Sequence, residues 1–319
     1  SYLHNIYFYN AIKNSWQFII TLQSNHCGTS CNVIKCWKWD VPKMIKQYYN
    51  SKYGVLVLNK PLTQKKDFIK DFWNNATIRV TVDGGTCHWD TFLKRFSEEV
   101  QQSIKLPDLI TGDFDSIPQN ILQKYKMKGT FLAPFIIHTP DQTYTDFTKA
   151  LMELSTHCQG NNLELDEVVA ICQNSGRIDQ ILANVQTLFL NKTKRLLNPN
   201  TKLFVMADDT LSWLLYPGDH LIHIPEESIK HKEAWCSLVP VGETCSVITT
   251  HGLKWDLDKG RLKFGELVST SNTFNGQTTV TVKCSHHVLW SMILPSLVSG
   301  YSINKVMFFF ISYRQCSSY

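Results

Sequence analysis

Between Tyr53 and about residue 195, the sequence alternates short, mainly apolar runs, of which Tyr53–Leu58 is continuous, with longer segments of helical periodicity. Runs that are apolar at every position, rather than at every second one, are typical of parallel strands covered on both faces. Strands that alternate with helices in this way build a sheet with helices on its two sides. The pattern therefore predicts an α/β fold with a doubly wound parallel sheet, and its strands are Tyr53–Leu58, Ile78–Val82, Leu109–Thr111 and Val168–Ile171.

Two helices of this region are marked by apolar residues three or four positions apart. In the first helix, Thr145–Leu154, the apolar residues are Phe147, Ala150, Leu151 and Leu154. In the second helix the stripe consists of Ile178, Ile181, Leu182, Val185, Leu188 and Phe189. A third helix is expected to start near Ser116 and Pro118, because a capping hydroxyl followed by a proline in the first turn is a typical helix beginning.

The pattern changes after Asn198-Pro199-Asn200, where helical periodicity gives way to short β-rich runs separated by turn residues. These runs are Leu203–Met206, His220–Ile224, Ser246–Thr250, Leu267–Thr270 and Thr278–Val282. They predict a smaller all-β, sandwich-like domain. The expected domains are thus an α/β domain at 49–198 and a β-rich domain at 199–296, flanked by an unassigned N-terminal extension at 1–48 and an unassigned tail at 297–319.

The bulk composition excludes several classes of protein. With 43% hydrophobic and 18% charged residues, the chain is expected to be globular. A net charge of +5 without a dense basic stripe gives no sign of a nucleic-acid partner. The apolar segment Val288–Ile311 is broken by Pro295, Asn304 and Lys305, so no membrane span is expected.

Short motifs narrow the choice further. The ten cysteines form no framework, and no secretory signal is visible, so we expect free thiols and a cytoplasmic protein. The chain contains no GxxxxGK[ST] loop, no GxGxxG after a strand, no GxSxG elbow and no HExxH helix. These absences disfavour P-loop enzymes, dinucleotide dehydrogenases, serine hydrolases of that fold and zinc proteases.

Carboxylates follow the predicted parallel strands at the point where each strand ends. Asp83 lies after one strand and is followed by Gly84 and Gly85, where backbone could approach a phosphate closely. Asp113 and Asp115 follow the next strand, spaced so that extended backbone would carry both to one centre. In such sheets the ligand crevice lies beyond the carboxyl ends of the strands.

A fourth carboxylate, Asp146, lies in the first turn of the Thr145 helix, after the loop Pro140-Asp141-Gln142. Each aspartate alone could cap a helix or fill a turn. Together they indicate Mg²⁺, which takes one or two carboxylates together with phosphate oxygens. We therefore expect a magnesium–polyphosphate site, whose metal ligands are Asp83, Asp113, Asp115 and Asp146.

Basic groups accompany these carboxylates. Ser175-Gly176-Arg177 opens the second helix, where exposed amides and the guanidinium form a plausible anion site. Asp146 and Lys149 share one helix face, so one could hold metal while the other neutralises phosphate, or the two could simply pair.

The order of these motifs resembles that of the eukaryotic thiamine pyrophosphokinases, from about Tyr53 to Ser296. The resemblance is carried first by the α/β part, in the segments VLVLN (55–59), DGG (83–85), PDLITGDFDSI (107–117), TPDQTYTDFTKA (139–150) and SGRIDQILANVQTLF (175–189). It continues in the β-rich part, in Val239–Gly242, Thr250–Trp255 and the segment LVSTSNTF (267–274).

This resemblance implies a transfer of pyrophosphate from ATP to thiamine with Mg²⁺, giving thiamine diphosphate and AMP. It places Asp113, Asp115 and Asp146 at the catalytic centre. It places the ATP side at Asp83, Gly84, Gln142, Lys149, Arg177 and Asp179. Physically, the thiamine hydroxyl would attack the β-phosphorus in line, while metal and basic groups stabilise the charge on the transferring oxygens.

The same resemblance implies a thiamine side in the β-rich domain. Trp235 offers an indole face to the cationic thiazolium, while Ser269, Ser271 and Asn272 could hydrogen-bond the pyrimidine ring. Trp235 alone could equally be a core aromatic. In this family the thiamine side meets the acidic loops across a dimer interface, so a homodimer is implied.

One departure from the family pattern concerns the phosphate region. A glycine pair usually precedes the SGR segment, whereas this chain has Cys172-Gln173-Asn174. Side chains there would narrow the approach of a phosphate. Two alternatives to the kinase follow from the residues: a binding protein without turnover, and a metal-dependent phosphohydrolase. The second explains the aspartates but leaves Trp235 and Ser269–Asn272 without a role.

Overall fold

The computed structural model describes residues 36–45, 51–127 and 133–298. Eight helices within these ranges are numbered α1 to α8: Val41–Ile45, Lys66–Asn75, Gly85–Leu93, Glu98–Ser103, Gln119–Met127, Asp146–Gly160, Ile178–Thr193 and Glu226–Lys230. The fifteen strands β1 to β15 are Cys36–Asp40, Tyr53–Val57, Ile78–Val82, Leu109–Gly112, Phe135–His138, Glu167–Ile171, Lys202–Ala207, Thr210–Leu215, Gly218–His223, Cys236–Pro240, Cys245–His251, Gly260–Leu262, Ser269–Asn272, Thr279–Cys284 and Val288–Ile293.

Ten strands form one large mixed sheet in the order β13-β10-β15-β8-β7-β6-β2-β3-β4-β5. From β7 to β5 all neighbours are parallel. From β7 to β13 all neighbours are antiparallel. The predicted parallel sheet is confirmed, and antiparallel strands of the C-terminal part extend it.

Burial on both faces explains the wholly apolar runs. In β2, Val55 and Val57 belong to one core cluster, while Leu56 between them belongs to the opposite one. Successive strand residues point to opposite faces, so a strand covered on both sides needs an apolar residue at every position. All five residues of β2, β3 and β6 are buried, including the polar residues Arg79, Thr81 and Glu167.

The chain direction around β2 creates a crevice. The chain proceeds from β2 outward to β3, β4 and β5 on one side, and returns to β6 and β7 on the other. At such a switch point the connecting loops at the carboxyl ends of the strands diverge to opposite faces of the sheet. The loops that follow β2, β3, β4 and β6 therefore border a common opening.

Both of the helices with a predicted apolar stripe form, but only one of them buries the whole of that stripe. In α6, Phe147, Ala150, Leu151 and Leu154 are buried by 97% or more against the sheet, as the spacing predicted. In α7, Leu188 is buried, but Ile178 and Leu182 are 72% and 60% exposed in the single chain. The first half of the α7 stripe is therefore a surface feature of the chain rather than part of its core.

A smaller sheet completes the fold, in the order β1-β9-β14-β11-β12. A shared core joins it to the large sheet, with Ile222 and Val280 on one side and Trp213 and Trp290 on the other. The expectation of an α/β part followed by a smaller sandwich-like β part is confirmed. The large sheet nevertheless runs past residue 198 through β7, β8, β15, β10 and β13, and the domain limits stay predictions.

Strand β1 lies in the region to which the sequence analysis assigned no element. It pairs in parallel with β9, and the Trp39 indole donates a hydrogen bond to Nδ1 of His220 at 3.1 Å. Helix α1 follows directly, and the other residues of the N-terminal extension, 1–35 and 46–48, lie outside the described residues.

At the other end, Val288–Ile293 of the segment Val288–Ile311 is strand β15, and Pro295–Leu297 forms a short 3-10 helix. Residues 299–319 lie outside the described ranges. Among the helices that the structure describes, none is both long and apolar enough for a bilayer crossing.

Candidate active site

A cleft of about 660 Å³ opens at the carboxyl ends of the parallel strands. It is bordered by the residues that follow β2, β3, β4 and β6 and by the first turns of α6 and α7. Four of the aspartates singled out from the sequence line it: Asp83, Asp113, Asp115 and Asp146. The rule that ligands bind beyond the carboxyl ends of such strands therefore located the opening correctly.

Three of these carboxylates converge. Oxygens of Asp83, Asp113 and Asp146 lie within 4.8 Å of one another. The close approach of β3 and β4 is possible because residue 112 is glycine, with φ +148°. A Cβ atom there would lie only 2.8 Å from the Cβ of Asp83. Asp83 itself has φ +46°, a conformation that Asp and Asn adopt more readily than most residues.

The electrostatics of Asp83 suit a cation. The residue is 3% exposed, and its Oδ1 atom is buried without a hydrogen-bond partner among the described residues. Burial raises the pKa of Asp83, and the neighbouring carboxylates of Asp146 and Asp115 add to the rise, against hydrogen bonds from Gly84 and Ser116. An unpartnered buried oxygen beside two more carboxylates fits a divalent ion such as Mg²⁺.

Asp113 is held in its ionised form. Gln142 Nε2 donates a hydrogen bond to Asp113 Oδ2 at 2.9 Å. This hydrogen bond is the main reason that the pKa of Asp113 lies below its usual value, and the Lys149 ammonium contributes a smaller effect. Gln142 thus orients and stabilises one carboxylate of the cluster, which gives a physical role to a residue predicted on the ATP side.

Asp115 lines the same cleft but does not join the three converging oxygens. Its carboxylate accepts a hydrogen bond from Ser116 Oγ at 2.8 Å. The expectation that extended backbone carries Asp113 and Asp115 to one centre is wrong in its geometry, because Phe114 between them has φ +65°. The left-handed residue turns Asp115 along the cleft, and its assignment as a metal ligand stays a prediction.

Lys149 is a buried lysine with three partners. Its Nζ donates to the backbone oxygens of Thr139 and Asp141 at 2.7 and 2.9 Å, and it lies 2.9 Å from Oδ1 of Asp146. These contacts tie α6 to the preceding loop, while Thr145 caps the helix by accepting from the Thr148 amide. Of the two roles considered from the sequence, pairing with Asp146 is the one that the structure shows.

The glycine pair after Asp83 has a packing role within the chain. A Cβ on Gly84 would lie 2.3 Å from Oδ1 of Asn59, and one on Gly85 would lie 2.2 Å from the carbonyl oxygen of Val57. Residue 85 must therefore be glycine for α3 to begin against the end of β2, whereas a side chain at residue 84 would require the Asn59 side chain to move. The approach of a phosphate to Gly84 stays a prediction.

At the mouth of the cleft, Arg177 and Asp179 pair with each other. The Arg177 Nε lies 3.1 Å from Asp179 Oδ1, and a second guanidinium nitrogen contacts Oδ2. This pair raises the pKa of Arg177 and lowers that of Asp179. Both side chains are exposed, and of the two only Arg177 lines the cleft.

Comparison with known proteins identifies the family of this fold and cleft. Residues 69–198 match the family described as thiamin pyrophosphokinase, catalytic domain, and residues 219–289 match its vitamin B1 binding domain. A rice protein named thiamine pyrophosphokinase 3 is 31% identical over 249 residues, 76% of this chain and 87% of its own length. The chain belongs to the thiamine pyrophosphokinase family. Thiamine pyrophosphokinase 1 of Arabidopsis thaliana is 30% identical over 247 residues, which are 76% of this chain and 86% of its own length.

Solved thiamin pyrophosphokinases share the fold. The enzyme from Candida albicans superposes with a TM-score of 0.69 at 22% identity, over 81% of this chain and 93% of that one. The yeast enzyme gives the same TM-score at 21% identity, over 82% and 92%. The motif order that pointed to the thiamine pyrophosphokinases is thus confirmed.

The thiamine side predicted for this family lies on β10 and β13. Trp235 immediately precedes β10, and Cys236 pairs with Asn272 at the end of β13. Asn272 is 3% exposed. Its side-chain oxygen accepts a hydrogen bond from the Trp255 amide, and its side-chain nitrogen donates one to the Trp255 carbonyl oxygen. Ser269 is half-buried and Ser271, with φ +59°, is exposed.

None of these four residues lines the acidic cleft of the same chain. Strand direction alternates from β7 to β10, so the start of β10 and the end of β13 lie at the sheet edge that also carries the aspartates. Four strands separate β10 from β2, which corresponds to roughly 24 Å at about 4.8 Å per strand. One chain therefore brings together the acidic half of the predicted site and not the thiamine half.

Several cleft residues of this thiamine pyrophosphokinase family member were not predicted as site residues. Asn59 and Lys60 follow β2 directly, and His88 and Gln173 lie on the loops and helices around them. The signal for Asn59 and Lys60 was present in the sequence, since they follow a predicted parallel strand just as the aspartates do. His88 carried no such signal, because it enters the cleft from the first turn of α3.

Proposed function

We propose that this chain transfers the pyrophosphoryl group of ATP to the hydroxyl of thiamine, which gives thiamine diphosphate and AMP. The observation that carries the proposal is the convergence of Asp83, Asp113 and Asp146, with an unpartnered buried oxygen, at the sheet edge where nucleotides bind in such folds. The family matches over both the catalytic and the vitamin B1 binding regions supply the substrates.

The aspartates are assigned as the residues that would hold Mg²⁺, with Asp115 beside them in the cleft. A Mg²⁺ ion held there would offset the negative charge that develops on the phosphate oxygens. The residues of the chain prepare this site: Gln142 keeps Asp113 ionised and oriented, and Lys149 fixes Asp146 against the loop before α6. Arg177 and Asp179 at the mouth are assigned to the nucleotide side.

The transfer itself moves one group between two oxygens. The oxygen of the thiamine hydroxyl forms a bond to the β-phosphorus of ATP, and the bond from that phosphorus to the oxygen it shares with the α-phosphorus breaks. AMP leaves with that oxygen, and the proton of the thiamine hydroxyl is released to water. In such transfers the protein contributes mainly by positioning the reactants and by stabilising the charge of the transferring group.

We further propose that the enzyme works as a homodimer. Trp235 lies at β10, roughly 24 Å along the sheet edge from the β2 side of the acidic cleft, and Ser269, Ser271 and Asn272 lie one strand further out on β13. Exposed apolar side chains accompany both halves: Ile178 and Leu182 near the cleft, and Trp255, Phe264 and Leu267 near β13. In a two-fold dimer each patch of one copy can cover the other patch of its partner, which would join the two halves.

The proposed function is tested by measuring AMP formation from ATP and Mg²⁺ with and without thiamine. Thiamine-dependent AMP, with thiamine diphosphate as the second product, supports the kinase. Phosphate release without thiamine would indicate the phosphohydrolase instead, and thiamine binding without AMP would indicate a non-catalytic binding protein. The family matches do not favour either alternative.

A variant pair sharpens this assay. Asp113→Asn removes one carboxylate of the cluster and is expected to reduce turnover by a factor of a hundred or more, on the order of what loss of a charge-stabilising group costs an enzyme. Asp258→Asn, an exposed aspartate of the β-rich part, is the matched control and should be fully active. Near-normal turnover of Asp113→Asn would remove Asp113 from the catalytic centre.

A cytoplasmic location and the absence of nucleic-acid and membrane partners stay predictions.

A further inference from the structure

The charges in the cleft do not balance around a polyphosphate. Four aspartates line it, and two of its three nearby cations are already engaged. Lys149 uses its ammonium on two backbone oxygens and on Asp146, and Arg177 is held by Asp179. An anionic nucleotide brought to this cleft therefore needs a positive group that is not already paired.

Lys60 is such a group. It follows Asn59 at the end of β2, is half-buried, and lines the cleft together with Asp83 and Asp113. Among the described residues its ammonium forms no ion pair and no hydrogen bond, in contrast to Lys149 and Arg177. A half-buried ammonium without a protein partner is positioned to receive an anion from the solvent side of the cleft.

The surroundings of Lys60 define where that anion would lie. Its Nζ is 3.6 Å from the point that a Cβ on Gly176 would occupy, in the loop that opens α7. His88 of α3 lines the same cleft. Burial lowers the pKa of His88 and the Lys60 charge lowers it further, so His88 is neutral at pH 7 and leaves Lys60 as the cation of this wall.

We infer that the Lys60 ammonium binds a phosphate oxygen of the nucleotide, between the end of β2 and the Ser175–Arg177 loop. This inference rests on the proposed function, since it assigns a contact within the same cleft. A lysine supplies a compact point charge with three donors, which suits an oxygen of a flexible triphosphate. Lys60 would then hold the phosphate chain in place and take no part in proton transfer.

The test measures nucleotide binding directly. The dissociation constant of a non-hydrolysable ATP analogue, with a methylene group between the α- and β-phosphates, is measured by calorimetry with Mg²⁺ present. Lys60→Gln keeps the length of the side chain and removes its charge, and it should weaken binding about tenfold to a hundredfold, the usual effect of losing a charge-assisted hydrogen bond. Lys60→Arg should retain most of the affinity, because the charge is kept.

The control is Lys52→Gln, an exposed lysine that precedes β2 at the opposite edge of the sheet. It should bind the analogue as the wild type does. In the kinase assay, Lys60→Gln should raise the KM for ATP by the same factor and leave the KM for thiamine unchanged, a split that general loss of structure would not produce. Circular dichroism of both variants checks that the fold is intact.

The outcomes separate this inference from the proposed function. If the wild type makes thiamine diphosphate and Lys60→Gln binds the analogue within twofold of it, the inference is overturned and the proposed function stands. If the wild type makes no AMP but its analogue binding depends on Lys60, the inference stands and the proposed function fails. A wild-type chain that binds no analogue would overturn both.

Discussion

Removing one carboxylate from the acidic cluster should stabilise the metal-free protein while abolishing its response to Mg²⁺. The substitution is Asp83→Asn. Asparagine keeps the shape of the side chain and tolerates the left-handed backbone at this position, φ +46°. It removes a charge that is buried, lacks a partner for Oδ1 and faces the carboxylates of Asp113 and Asp146. Repulsion among these carboxylates destabilises the metal-free fold, and the proposed function requires that they stay together.

The size of the effect follows from the geometry. Two unit charges 4.8 Å apart repel by about 0.9 kcal/mol in bulk water and by about 3.5 kcal/mol at an effective dielectric constant of 20. Asp83→Asn removes two of the three pairs. Because Asp113 and Asp146 are partly exposed, the lower figure applies, and the gain should be about 2 kcal/mol. For a chain of this size that corresponds to a rise in Tm of roughly 3 °C.

The pH of the measurement follows from the sign of the pKa shift. The folded protein raises the pKa of Asp83 above its unfolded value, so it binds this proton more tightly than the unfolded chain does. The cost is therefore absent below the unfolded pKa, grows as pH rises through the folded pKa, and is complete above it. The comparison therefore belongs above the folded pKa of Asp83, where the cost is complete.

The assay is thermal unfolding in EDTA and again with millimolar Mg²⁺. The wild type should gain stability with Mg²⁺ by mass action, whereas Asp83→Asn should gain little. Asp90→Asn is the contrasting control, because Asp90 is buried but binds Lys94 and Lys124, and its loss should destabilise the protein in both solutions. A lower Tm for Asp83→Asn than for the wild type in EDTA would refute the reasoning, as would an unchanged response to Mg²⁺.

Two further predictions concern the β-rich part. His220 is buried between the Trp39 indole and the Tyr216 carbonyl, and burial lowers its pKa from 6.5 to about 4. The contribution of neutral His220 to the free energy of unfolding should therefore be complete above pH 6.5 and fall by about 3 kcal/mol as the pH drops to 4. Urea unfolding of the wild type against His220→Gln checks this, and equal pH dependence would contradict it. For the dimer, mixing Asp113→Asn with Trp235→Ala should restore about a quarter of the wild-type activity, because half of the random dimers then contain one intact site. Activity that stays at the level of the separate variants, although subunits exchange, would place both halves of the site in one chain.

The parallel part of the sheet could be predicted because its physics is local. Val55, Leu56 and Val57 must all be apolar when both faces of β2 are covered, and that requirement is written into consecutive residues. The C-terminal strands were recognised as β-structure, but their sheet was not, because a strand such as Val288–Ile293 takes its partners from residues about 75 positions away. Alternation within a strand reports burial and carries no information on which neighbour it joins.

The same distinction applies to the site. Asp83, Asp113 and Asp146 could be predicted to converge because each follows a parallel strand or begins the helix beside one, and topology alone brings such positions together. The separate course of Asp115 depends on one left-handed residue, Phe114, which propensity does not predict. The hydrogen bonds of the Lys149 ammonium to the carbonyl oxygens of Thr139 and Asp141 depend on the path of that loop, which no spacing rule describes.

The direction of the strands explains how one sheet can serve two substrates. Because β8, β15, β10 and β13 alternate in direction, the chain returns twice to the edge at which the parallel strands end, and it leaves Trp235 and Asn272 there. In the proposed function the edge carries phosphate chemistry at one end and the predicted thiamine residues at the other, with roughly 24 Å between β10 and β2. A substrate that must present its hydroxyl to the phosphate end while its rings occupy the thiamine end needs the two ends of different copies to face each other. The proposed two-fold dimer would satisfy that need for both copies at once, and it would also bury the apolar face of α7 that a single chain leaves exposed.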